Sequence, residues 1–140
     1  MAKTAMAFGS FDVLHPGHIH YLKGASRYGS LIVVVARDVN IRKLKGREPL
    51  IDERSRLEIV GSLRFVHRAV LGGRVGKGWN DIYNILLKYR PDVLVFGYDQ
   101  RIDMGYLKRF LGENGLRPRI VRLRPFREYR YKSSRLKALM

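Results

Sequence analysis

Cysteine is absent from the 140-residue sequence, which excludes disulfides and a thiolate nucleophile. No apolar run is long enough to cross a bilayer, and the stretch Leu31 to Ala36 has only the length of a strand. No leader segment stands out, so a cytoplasmic protein with no membrane partner is expected. Glutamine and asparagine are scarce and arginine dominates the basic residues, a composition expected of a heat-adapted source. Acidic residues are few as well: 12 Asp and Glu stand against 28 Lys and Arg, a formal charge of +16. Such a balance points to polyanionic partners, meaning nucleotides or nucleic acid. No internal repeat or low-complexity linker divides the chain, so residues 1–140 read as one domain with room for a core.

What is present alternates. The pattern predicts a strand from Thr4 to Phe8, a helix over about His18–Tyr28, and a central strand from Leu31 to Ala36. Asp52 reads as the N-cap of a helix through Arg56, Ile59 and Val60, followed by a strand over Phe65–Leu71. A helix over Trp79–Tyr89 must stop before Pro91. Val93–Phe96 is a further strand, Tyr106 to Leu111 lies in a helix, and Ile120–Leu123 closes the series. Strands alternating with helices predict an α/β fold with a doubly wound parallel sheet. In such sheets ligands bind beyond the carboxyl ends of the strands, where the strand order reverses.

The stretch at that edge of the first strand is Gly9-Ser10-Phe11-Asp12-Val13-Leu14-His15-Pro16-Gly17-His18. It reads as a tight turn leading into a helix start, where unpaired N–H groups and the positive end of the dipole favour an anion. His15 and His18, three apart, share one helical face. Imidazoles at an anion site suit stabilisation of phosphate charge. An alternative is that both histidines only cap or pack the helix.

Gly9-Ser10-Phe11-Asp12 and His15-Pro16-Gly17-His18 resemble the G-[ST]-F-D and H-x-G-H motifs of the cytidylyltransferase-like nucleotidyltransferases. The resemblance implies a Rossmann-like nucleotidyltransferase fold, with both stretches binding the nucleotide and His15 and His18 catalytic. It also gives meaning to three other segments. Arg37 to Arg47 holds five basic side chains in eleven residues and is expected to be a mobile, phosphate-gripping loop, although a charge run can equally be a solvated face. Lys43 and Lys45 match the family's two loop lysines, which implies a catalytic role on the triphosphate. Arg54 and Arg64 fall in the following helix and its end, where the family also carries arginines; the other reading of each is a structural ion-pair partner. In Gly97-Tyr98-Asp99-Gln100 the resemblance implies that Asp99 contacts the nucleotide; the other reading is an acidic helix cap. The basic, aromatic segment Arg124 to Ser134 resembles the family's C-terminal nucleotide-binding segment, with Arg124, Arg127, Tyr129, Ser133 and Ser134 as candidate contacts. Ser134 could also be a plain N-cap.

Gly72 to Gly78 is not a P-loop: only three residues separate Gly72 from Gly76-Lys77, and no Ser or Thr follows the lysine. Lys77 could still attract an acceptor's phosphate. His20 and His67 lack partners in the sequence and read as structural.

Within the family, almost the whole chain is similar to archaeal FAD synthases, which implies ATP as donor and FMN as acceptor. Trp79, Tyr83 and Tyr98 offer flat surfaces for an isoalloxazine ring, or else pack the core. A divalent ion, Mg2+ by expectation, would travel on the nucleotide phosphates, with no dedicated protein cage. The alternatives are a glycerol-3-phosphate cytidylyltransferase, using CTP, and a basic nucleic-acid-binding module. No nucleic-acid motif supports the latter, so no nucleic-acid partner is expected, and a homodimer is left open.

Overall fold

The computed structural model describes residues 2–73 and 82–125. The elements run β1 (Thr4–Gly9), α1 (Pro16–Ser26), β2 (Ser30–Val35), α2 (Asp38–Lys45), α3 (Glu53–Gly61), β3 (Arg68–Leu71), α4 (Tyr83–Tyr89), β4 (Val93–Phe96), α5 (Met104–Glu113) and β5 (Arg119–Arg122). All five strands are parallel, in the order β3-β2-β1-β4-β5. The order reverses between β1 and β4, which makes the crevice above that pair the expected ligand site.

Period-two alternation along the central strands feeds two cores. Ala5, Ala7, Val33 and Val35 face Tyr21, Leu22 and Ala25 of α1 and Val60 of α3. Met6, Phe8, Ile32 and Val34 point the other way, onto Ile82, Leu86 of α4 and Leu107 and Leu111 of α5. Helices therefore cover both faces, and the doubly wound expectation holds. No described helix is long and apolar enough to cross a membrane.

Two boundaries moved for identifiable reasons. The third strand begins at Arg68 because Leu63 to Val66 close a turn, with Val66 N–H bonded to Leu63 C=O and its side chain buried. The basic segment after β2 is not a loop. Residues Asp38–Lys45 form α2, closed by Gly46 at φ 69°, a left-handed position suited to glycine. Its fastening is tertiary: Asp38 N–H donates to Glu53, and Asn40 Nδ2 donates to the Gly73 carbonyl.

Candidate active site

Gly9 ends β1 without a side chain because the Phe11 ring lies across it. A Cβ there would sit 2.7 Å from Phe11 Cζ. Phe11 itself takes φ 52°, a strained conformation for a non-glycine residue, and is buried. Its ring meets His18 edge-on at 5.4 Å, so the turn is built to support that imidazole.

The two histidines cap α1 reciprocally. Gly17 N–H donates to His15 Nδ1 at 3.0 Å, and His15 N–H donates to His18 Nδ1 at 3.2 Å. The arrangement has the logic of a capping box, with imidazoles in place of hydroxyl and carboxylate. The rings stack at 3.8 Å between centroids. Because each Nδ1 accepts a hydrogen bond, each ring carries its proton on Nε2, on the side turned away from the cap. The donors offered at this helix start are thus imidazole Nε2–H groups as much as backbone amides. Partial burial holds the His15 imidazole below its ordinary pKa, opposed by the nearby Asp99 carboxylate.

Asp12 is buried, and its two carboxylate oxygens accept from Leu50 and Ile51 N–H at 2.9 and 2.8 Å. It ties the first turn to the connection between α2 and α3. The residue that sequence reading passed over is Arg56. Fully buried, it donates to the carbonyls of Ser10, Ala36 and Ile51 and pairs with Asp38 at 2.6 Å. Arg54, one of the arginines singled out by resemblance, is exposed on the same helix, and Arg64 is exposed just beyond it. His20 and His67 lie at the surface.

The helical form of α2 separates Lys43 from Lys45, since residues two apart do not share a helix face. Lys45 lines a cavity of about 340 Å³ together with Gly9, Ser10, Gln100 and Arg101; Lys43 does not. Asn40 adds one more polar group, and the remaining wall is apolar, formed by Phe8, Val34, Ala36, Ile41, Leu44 and Ile82. Replacing Lys45 with alanine should therefore raise KM and lower kcat well beyond the effect of Lys43→Ala. Both lysines are exposed, so neither change should cost more than about 1 kcal/mol of stability. Steady-state kinetics beside thermal melts decide it; equal kinetic effects would place both on the substrate.

After β4 comes the turn Gly97-Tyr98-Asp99-Gln100, whose exposed Asp99 acts electrostatically on His15. Arg122 of β5 holds it from behind, donating to the Gly97 and Gln100 carbonyls at 2.7 Å each. Tyr98 and Tyr83 are not among the cavity's lining residues. Tyr83 stacks instead on Phe110 at 4.2 Å and Tyr106 at 5.6 Å, as part of the α4–α5 packing. Arg124 is exposed just beyond β5. Lys77, Trp79, Arg127, Tyr129, Ser133 and Ser134 lie outside the described residues.

Residues 6–139 match the sequence profile described as cytidylyltransferase-like. The chain belongs to the cytidylyltransferase-like family. Within reach of this family member are an FAD synthase of Thermoplasma acidophilum, 44% identical over 119 residues, covering 84% of this chain and 80% of the relative. An FAD synthase of Korarchaeum cryptofilum is 45% identical over 130 residues, or 90% and 84% of the two chains. Among crystal structures, one described as a lipopolysaccharide core biosynthesis protein of Thermoplasma volcanium superposes with a TM-score of 0.81. It is 38% identical and covers 90% of this chain and 99% of its own. This cytidylyltransferase-like chain is a nucleotidyltransferase, with its H-x-G-H pair at the switch point of the sheet.

Proposed function

We propose that the protein is an FAD synthase, transferring AMP from ATP to the phosphate of FMN with release of pyrophosphate. Beside the similarity to archaeal FAD synthases, one observation carries the reading: a largely apolar cavity opens next to the phosphate-facing turn. Its walls suit a flat hydrophobic ring system, and Ser10, Lys45 and Arg101 supply polar groups suited to a phosphate tether. A short polar acceptor such as glycerol 3-phosphate would leave those apolar walls against water.

A phosphate oxygen of FMN attacks the α-phosphorus of ATP; that P–O bond forms as the bond to the β-phosphate bridge breaks. The nucleophile is already an anion, so no general base is required. What the protein supplies is alignment and charge neutralisation. His15 and His18 donate from Nε2 to triphosphate oxygens, with Lys45 and the α1 dipole adding positive potential. Asp99 and Arg124 complete the nucleotide contacts, while Phe11 and Asp12 act from beneath. No described group of three or more His, Cys, Asp or Glu could hold a metal, and both Asp12 oxygens are engaged by backbone N–H groups. A Mg2+ ion carried by the triphosphate would supply further charge neutralisation there.

The test crosses ATP and CTP with FMN and glycerol 3-phosphate, reading pyrophosphate release and flavin chromatography. ATP with FMN should yield FAD, and CTP with glycerol 3-phosphate little product. Unchanged FMN alongside formation of CDP-glycerol would overturn the acceptor assignment while leaving the transferase chemistry intact.

A further inference from the structure

The ladder between β1 and β4 stops at Ala7 and Val95. Beyond it, two side chains stand where strand-to-strand bonds would otherwise form. The buried Tyr21 hydroxyl of α1 accepts from Phe8 N–H at 3.0 Å and donates to the Val95 carbonyl at 2.6 Å. One step further out, Gln100 Oε1 accepts from Gly97 N–H at 2.8 Å while its Nε2 donates to the Phe8 carbonyl. Each side chain thus bridges the two strands. A bridging group holds them further apart than a direct N–H···O=C bond of about 2.9 Å permits.

We propose that Tyr21 and Gln100 are positioning residues of the transfer: by spanning the mouth between β1 and β4 they fix the spacing between the Gly9–Ser10 turn and the Gly97–Asp99 turn. On the adenylyl-transfer reading above, on which this rests, that spacing sets how the acceptor phosphate meets the α-phosphorus. Both sides of the crevice depend on it. Gly9 and Ser10 carry the approach to the His pair and also line the acceptor cavity, as does Gln100 itself.

The chemistry of the bridge explains the residue types. Gln100 must donate to a carbonyl and accept from an N–H at once, which a neutral amide does and a carboxylate does not. It is the chain's only glutamine. Tyr21 must keep its proton to serve Val95, and burial pushes its pKa far up, so the phenol stays neutral. Arg122 then pins the backbone of Gln100 from β5, so the bridge has a fixed foot.

Two variants of nearly unchanged shape test the idea. Tyr21→Phe removes the bridging hydroxyl, and Gln100→Glu keeps the acceptor but loses the donor. Each should lower kcat between about ten- and a hundredfold, the range for misplaced reactants, with KM for both substrates within about threefold. Assays are run well below the melting temperature of every variant, and Tyr21→Phe alone carries the test if Gln100→Glu does not fold. Unchanged kcat in folded variants, with only the melting temperature lowered, would show a structural role and overturn the proposal. So would losses confined to KM. Wild-type protein is assayed alongside with both acceptors. Should it turn over glycerol 3-phosphate and not FMN, the acceptor assignment fails separately, and the kcat–KM split is read on that substrate pair.

Discussion

His18→Ala is expected to lower kcat about a hundredfold, or about 3 kcal/mol of transition-state stabilisation, while KM for ATP changes only a few-fold. The expectation follows from how the ring is held. His15 N–H fixes Nδ1, His15 stacks on one face, and Phe11 presses edge-on from another side. A ring so fixed presents Nε2–H in one direction without reorganising as charge moves onto the leaving pyrophosphate. Preorganised donors act mainly on the transition state, which is why the loss should fall on kcat. The same change also deletes a helix cap, costing about 1 kcal/mol of stability, so melts must accompany the kinetics. Turnover within a few-fold of wild type in a folded variant would reduce His18 to a cap and sink the mechanism.

The His pair was readable because everything that makes it is local. A strand, a glycine under an aromatic ring and a reciprocal cap lie within Phe8 to His18, and each leaves a mark in the sequence. The strands were readable for the same reason, since alternate residues of β1 and β2 feed opposite cores. What was not readable depends on distant partners. α2 looks like a solvated basic stretch because only Asn40 and Ile41 are buried; its order comes from Glu53, Gly72 and Gly73. An aromatic at position 83 suggested a ligand platform, but α5 supplies the rings it stacks on. Gln100 gave no signal beyond its place in the turn, because its acceptor is the carbonyl of Phe8, 92 positions away.

Arg56 is the extreme case. In sequence it is one more arginine on an amphipathic helix, where a solvated position is the ordinary expectation. In the fold it is fully buried and joins four segments: the Ser10 turn, Ala36 just past β2, the start of α2 at Asp38, and Ile51 before α3. A planar guanidinium can serve these acceptors together, whereas an ammonium cannot. Arg56→Ala leaves three half-buried carbonyls without this donor and Asp38 without its partner. Breaking such a pair costs about 3–5 kcal/mol, and at this size that lowers the melting temperature by roughly 10–20 °C. Arg56→Lys should recover only a small part, because charge alone does not restore the fork. Because Asp12 fastens the same turn to Leu50 and Ile51, the variant should stay folded at low temperature but hold Ser10 and α2 loosely, and kcat should drop as well. Thermal melts of the three proteins, with kcat measured where all are folded, test both halves. A melting temperature for Arg56→Ala within a few degrees of wild type would mean that the carbonyls find water or other donors, and that the turns at the site are held by Asp12 and the His caps without it.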